Sequence, residues 1–308
     1  MTMQGFWREQ GLTAEINRGL FGSKALGVAN NVHYIFPQGY GPRGSFATFT
    51  ELAPNLRSRD LIILGGVLRE QAVTPQDVFD VTIIGAANRP RQSTDGGVPT
   101  GGGASWLSPT TPVATTPLLK IREQGWKIAN IQFAPVATSA CVRLSRAEIA
   151  SDMDGSHAEF IGCYFVGGGA NGIGIEDVGG CSFVLIDDCR FQQLGDTALK
   201  GISTGIDVPQ GWIIKNSQFR ANLNDIKMSL NFALINKNTF FTAGSGATNK
   251  VISTTAVSVQ GGNNQILLNH FNNTEVQIAP GSGFTGAATD VWMNYVTDQA
   301  ALAIGQPA

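Results

Sequence analysis

The sequence predicts an all-β chain wound into a single-stranded parallel β-helix, a solenoid whose coils stack one on the next. Three observations predict it: charge is sparse while glycine is abundant, a six-residue unit recurs through the chain, and an alternating apolar run follows most copies of that unit.

Only 14% of the 308 residues are Asp, Glu, Lys or Arg, against about 25% in an average domain. The 38 glycines are nearly twice the usual share, which is about 7%. β-Branched residues fall in short runs between turn formers, the pattern of many short strands. A hydrophobic content of 43% supplies a substantial core. The net charge of -2 offers no cationic face for phosphates, so nucleic acid is not an expected partner. No apolar run reaches the roughly eighteen residues of a membrane-spanning helix, so no membrane partner is expected either. Arg8, Glu9 and Glu15 interrupt the N-terminus where a secretion signal needs an unbroken apolar stretch. The expectation is synthesis in a cytosol, with the chain either kept there or released by lysis.

The recurring unit reads FIGCYF (160–165), IDDCRF (186–191), IKNSQF (214–219), INKNTF (235–240) and ILLNHF (266–271), with IANIQF (128–133) as a looser copy. Each begins apolar and ends in Phe. Phe165, Phe191, Phe219, Phe240 and Phe271 therefore form one expected interior ladder. Two places earlier, Cys163, Cys189, Ser217, Asn238 and Asn269 form a second, of small or amide residues. The runs GIGIED, DIKMS, AVSVQ and EVQI alternate as strands, with Ile173/Ile175, Ile226/Met228, Val257/Val259 and Val276/Ile278 as inward pairs; TALKGI is less regular. Each unit is two strands with turns, too small to bury its own face, so it gains stability by stacking at about 4.8 Å. At that separation Cys163 and Cys189 are too far apart for a disulfide, and the four cysteines are expected as free thiols.

The solenoid is expected over residues 45–280. At its start, Ser45 or Thr48 caps a short helix around Phe49, Leu52 and Leu56, followed by strands at Leu61–Leu64 and Val81–Ile84. Residues 92–117, rich in Gly, Ser, Thr and Pro, read as a long loop leaving the wall. Residues 281–308 break the pattern and read as a cap in which Trp292 and Tyr295 cover the last coil. Residues 1–44 fit no coil and read as an arm. Phe6, Trp7, Leu12, Ile16 and Phe21 are its candidate attachment residues, either against the chain's own solenoid or against a partner.

Candidate chemistry is thin. GGGANG (167–172) satisfies G-x-G-x-x-G, yet the residues after it alternate as strand, where a dinucleotide fingerprint opens a helix. Glu176, Asp187 and Asp188 are the catalytic alternative, the acids from which a carboxylate pair for glycoside cleavage would be drawn. Any two acids on neighbouring coils fall near the required separation of about 5–9.5 Å, so proximity alone discriminates little. His33, His157 and His270 match no metal motif, and no metal or cofactor is expected.

The segments FATFTELAPNL (46–56), RDLIILGGVLREQ (59–71) and VFDVTIIGAANRP (78–90) resemble the opening of right-handed parallel β-helix proteins of the pectin-lyase-like superfamily. More narrowly, VTIIG followed by NRP is similar to virion-associated β-helix proteins of tailed bacteriophages. The resemblance spans about residues 45–280. It implies a right-handed solenoid, assembly in the host cytoplasm into a virion, and a trimer on the particle surface. The implied role is a capsid-decorating protein or head spike. The expected partners are the chain itself, as a homotrimer, and major capsid or tail proteins. A tailspike that binds or hydrolyses host surface glycan is the alternative.

Overall fold

The computed structural model describes residues 29–37, 39, 41–86, 103–135, 139–146, 154–167, 171–201, 209–241, 255–260, 264–272, 278–280 and 290–297. Among these, strands form three sheets, of ten, nine and eight members, and every pairing between strands is parallel. The first sheet runs from Val32–Ile35 through Leu61–Leu64, Thr82–Gly85, Lys127–Ala129, Glu159–Ile161, Leu185–Asp187, Ile213–Lys215, Leu234–Asn236 and Gln265–Leu267 to Asp290–Trp292. The second sheet includes Ala104–Leu107, Ile131–Ala134, Tyr164–Val166, Arg190–Gln192, Gln218–Arg220, Thr239–Phe241, His270–Asn272 and Tyr295–Thr297; the third includes Leu119–Ile121, Ala140–Leu144, Ile173–Asp177, Thr197–Gly201 and Asn224–Ser229. Successive coils contribute one strand to each sheet, which is the expected parallel β-helix.

Each full coil has three strands where the sequence suggested two. The reason is a corner hidden inside the hexapeptide. Its third residue is left-handed in every copy: Asn130, Gly162, Asp188, Asn216, Lys237 and Leu268 have φ between 52° and 61°. The unit is therefore the last strand of one wall, a single-residue bend, and the first strand of the next. Asn, Asp and Gly tolerate that conformation, whereas Lys237 and Leu268 adopt it at a cost of about 1–2 kcal/mol that the neighbouring coils must offset.

The sixth position points inward and makes a continuous aromatic column. Ring centroids are 5.3 Å apart for Phe133–Phe165, 4.7 Å for Phe165–Phe191, 5.0 Å for Phe191–Phe219, 4.8 Å for Phe219–Phe240 and 4.9 Å for Phe240–Phe271, with interplanar angles of 5–12°. Those separations equal the strand spacing and exceed the contact distance of stacked carbons, about 3.5–4.0 Å, so the rings slide past one another in offset stacking. At the N-terminal end the column continues through Trp106, 6.1 Å from Phe133, to Phe49 of the capping helix, 5.6 Å from Trp106.

The fourth position is a hydrogen-bonding column. Asn238 Oδ1 accepts the Ser217 backbone N–H at 2.9 Å, and Asn238 Nδ2 donates to Ile214 O at 2.9 Å. Asn269 repeats this one coil on, accepting from Asn238 N at 2.9 Å and donating to Ile235 O at 2.8 Å. Asn294 repeats it again. Ser217 Oγ accepts the N–H of Cys189, and the Cys163 and Cys189 thiols face the carbonyls of Ile128 and Phe160 at 3.4 Å. Ser217, Asn238, Asn269 and Asn294 thus each satisfy a backbone N–H that the bend has taken out of the sheet ladders, while the two thiols donate to carbonyls of the preceding coil. Asn222 and Asn264 do the same for Leu194 N and Ala233 N at other bends.

The capping helix is a single turn, Phe49–Leu52, continued by a 3-10 turn over Ala53–Asn55 that brings Leu56 into the core. Thr48 is the N-cap and accepts from Glu51 N at 3.1 Å. The buried Glu70 carboxylate accepts from the backbone N–H groups of Phe49 and Thr50, so the helix start is anchored to the first coil.

Three boundaries differ from the sequence expectation. Val32–Ile35, placed in the arm, is the first strand of the first sheet and pairs residue for residue with Leu61–Leu64. Ala104–Leu107, placed in the 92–117 loop, is a wall strand whose Trp106 is fully buried. Its small residues concealed it, because Ala104 and Ser105 carry little β signal. Asp290–Trp292 and Tyr295–Thr297, placed in the cap, are one more coil. VWMNYV keeps the left-handed third residue, Met293 at φ 55°, and the asparagine at the fourth, but ends in Val296 instead of Phe. Tyr295 lies on the outer wall, 64% exposed and against His270. The attachment candidates Phe6, Trp7, Leu12, Ile16 and Phe21 lie outside the described residues.

All four cysteines are free and buried. Burial pushes the Cys141, Cys181 and Cys189 thiols above the ordinary range. A thiol reagent such as Ellman's is therefore expected to find no reactive group in the native chain at pH 8 and four after denaturation; rapid native labelling would contradict this placement.

Candidate functional site

The candidate carboxylates do not converge. Glu176 belongs to the third sheet and Asp187 to the first, on different walls. Glu176 Oε2 accepts from Arg143 Nε and Nη2, both at 2.9 Å, across adjacent coils. Asp187 Oδ2 pairs with Lys215 Nζ at 3.2 Å and Oδ1 accepts from Asn216 Nδ2 at 2.8 Å. Asp188 is the exposed residue of a left-handed bend, φ 52°. The neighbouring acids serve structure too. Asp177 Oδ1 accepts from three consecutive backbone N–H groups, of Gly179, Gly180 and Cys181, at 3.0–3.2 Å. Burial pushes its carboxyl upward, partly offset by those donors. Asp196 pairs with Lys200 at 2.7 Å and accepts from Thr197 Oγ1 at 2.8 Å.

The histidines are equally dispersed. His33 Nε2 lies 2.9 Å from Asp60 Oδ2, His157 stacks on Phe183, and His270 lies against Tyr295. Among the described residues no group of three His, Cys, Asp or Glu could hold a metal ion. After Gly172 the chain enters the strand Ile173–Asp177.

Two surface features were not legible in the motifs. One is a corner ridge: His157, Phe183, Gly211 and Phe232 occupy one bend in successive coils, all with positive φ, and Phe183 and Phe232 are 55% and 61% exposed. His157 and Phe183 stack at 5.1 Å and 17°. A Cβ on Gly211, at φ 66°, would stand 2.7 Å from Phe183 Cδ1. Gly211→Ala is expected to cost about 1–2 kcal/mol from the left-handed backbone alone, read as a lower urea midpoint, and to displace the Phe183 ring.

The other is the outer face of the second sheet. Phe165, Phe191, Phe219, Phe240 and Phe271 point in, so their flanking residues point out. These form two columns in register: Tyr164, Arg190, Gln218, Thr239, His270 and Tyr295, beside Val166, Gln192, Arg220, Phe241 and Asn272, with Tyr164, Val166 and Gln192 buried. Neither column contains a carboxylate. Arg190 Nε and Nη2 donate to Gln218 Oε1 at 3.1 and 2.7 Å, and its guanidinium lies 5.9 Å from the Tyr164 ring centroid. The Arg220 guanidinium lies 5.4 Å from the Phe241 centroid. Tyr164 donates to Gln192 Oε1 at 3.1 Å; burial pushes its phenol upward while Arg190 and Arg220 pull it down.

The walls, bends and interior columns define a parallel β-helix. Solved structures of similar fold include a pectin methylesterase in complex with a hexasaccharide, 9% identical with TM-score 0.52 over 87% of this chain and 90% of that one. They also include the PL6-family alginate lyase AlyGC, 15% identical with TM-score 0.52, covering 87% of this chain and 40% of that one. The tailspike of E. coli bacteriophage HK620, 12% identical, aligns over 96% of this chain and 63% of that one with TM-score 0.40. At these identities the likeness is one of fold. No protein-family model matches the sequence, and no curated protein matches it.

Proposed function

We propose that this chain is a structural protein of a tailed-bacteriophage virion, a non-hydrolytic β-helical spike or capsid-decorating protein displayed as a homotrimer. The observation that carries the non-hydrolytic part is the commitment of the wall carboxylates. Glu176 and Asp187 each neutralise a cation on an adjacent coil, while within their own coils Asp177 caps three backbone N–H groups and Asp196 neutralises Lys200. Glycoside cleavage needs one acid held protonated beside one held ionised, a few ångströms apart across an accessible cleft. The virion part rests on the resemblance of residues 46–90, and a rod with its backbone bonded between coils suits an exposed particle surface. Major capsid or tail proteins are the proposed structural partners.

Incubating the chain with host lipopolysaccharide or capsule is expected to release no reducing sugar. Release that disappears in Asp188→Ala would replace this reading with a hydrolytic tailspike. Light scattering is expected to give three times the 32.6 kDa chain mass. Electron microscopy of the assembled particle is expected to place the rod on the head; its absence from particles would refute the virion assignment.

A further inference from the structure

We infer that the outer face of the first sheet, across its first five strands, is the docking site of the chain's own N-terminal segment, residues 1–28. Burial comes first. Leu61, Ile63, Ile84 and Ala129 point away from the interior, since Ile62, Leu64, Ile83 and Ile128 of the same strands fill it. Yet these outward side chains are at most 2% exposed and form an apolar cluster of their own. Their described hydrophobic neighbours are Ala29, Val32, Tyr34 and Ile161, all on or beside the same wall.

The same sheet supplies the comparison. On later coils the equivalent outward positions are open: Ile213 is 38% exposed, Gln265 is exposed, and Leu185, Leu234 and Leu267 are half-buried. A wall of this kind therefore does not seal its own outward side chains, and those of the early coils need a cover. The burial is complete within one chain, so the cover belongs to that chain and not to a second copy.

Position and composition name the cover. Residues 1–28 join the solenoid at Ala29, which packs on the cluster, and the next residue, Asn30, donates its backbone N–H to Arg59 O. The segment brings Phe6, Trp7, Leu12, Ile16, Leu20 and Phe21, large apolar side chains for an apolar face. From Val32 to Ile161 the face spans four coil spacings, about 19 Å, well within the reach of 28 residues. The other long segment at this wall, residues 87–102, offers Val98 as its single large aliphatic side chain among Gly, Thr, Pro and charged residues. Of the two roles open to the N-terminal residues, against the chain's own solenoid or against a partner, the wall thus favours the first. The inference is independent of the virion reading.

The test uses the full chain carrying a diazirine-bearing lysine analogue in place of Lys127, an outward, half-buried position two residues from Ala129. Irradiation is expected to give intrachain cross-links that leave the 32.6 kDa band on a denaturing gel. Mass spectrometry should place residues 1–28 among the linked peptides. In the double variant Leu12→Asp, Ile16→Asp, two carboxylates would have to enter an apolar contact, and the yield of that cross-link should fall about ten-fold or more. The conservative pair Leu12→Met, Ile16→Val should retain it. Far-ultraviolet circular dichroism of the aspartate variant is expected to keep the parent β signal, which separates a released segment from a lost fold. Linked products that lack residues 1–28, whether they fall in 87–102, elsewhere in the chain or in a band of doubled mass, would overturn the inference. So would undiminished yield in the aspartate variant. Particle imaging, which tests the virion assignment, is unaffected by any of these results.

Discussion

Phe219→Ala is expected to lower the unfolding free energy by about 3–5 kcal/mol, among the largest effects of any single substitution in the solenoid. Phe219 is fully buried and stacks on both neighbours, with centroids 5.0 Å from Phe191 and 4.8 Å from Phe240. Removing the ring opens a cavity that coils held by parallel ladders on three walls cannot collapse to fill. Two ring contacts are lost with it, each worth about 0.5–1.5 kcal/mol beyond area burial. Phe219→Leu refills most of the volume and should recover a large part of the loss. Urea unfolding followed by circular dichroism measures both. A loss below about 1 kcal/mol for the alanine variant would mean that the column does not bear on stability.

The second large effect concerns the polar column. Asn238→Leu is close to isosteric, yet it strips the acceptor from Ser217 N and the donor from Ile214 O, both inside the solenoid. Each orphaned buried group costs about 1–3 kcal/mol, giving an expected loss of about 2–5 kcal/mol despite the gain in apolar surface. A stability equal to or above the parent would show that the bend's N–H finds another partner. Hydrogen exchange at Ser217 and Asn238 gives a local readout: protection should fall there and in the adjoining coils first.

These two residues also show how far the sequence alone could lead. The phenylalanine spacing exposed the interior column because Phe is rare enough for its recurrence to stand out. The amide column was visible as a residue class, but its role was not: why Cys, Ser and Asn interchange becomes clear only when the left-handed bend before them is seen to free an N–H. That bend hid the third strand of each coil, since a three-residue strand such as Leu185–Asp187 leaves no periodicity to detect. The coil at Asp290–Thr297 escaped because Val296 replaces Phe, although Asn294 keeps the ladder position. Val32–Ile35 escaped because the capping helix intervenes between it and its partner strand.

The site was less legible than the fold. Asp187 and Asp188 attract attention as adjacent acids, but one braces Lys215 and the other turns a corner. Arg190 and Arg220 attract none, because the columns they belong to exist only once the register between coils is known. In a solenoid, residues about 28 apart in sequence are neighbours in space, as with Arg190 and Gln218, so motif spacing along the chain carries little information about the surface.

The most direct test of the stacked-column account is a pair of double-mutant cycles with Phe→Leu substitutions, which shrink the rings without emptying the core. Phe191 and Phe219, in adjacent coils, are predicted to couple by about 0.5–1.5 kcal/mol. Phe165 and Phe240, separated by two intervening rings, are predicted to be additive within about 0.5 kcal/mol. Coupling that ignores this order, or is absent between adjacent rings, would contradict a column built one phenylalanine per coil.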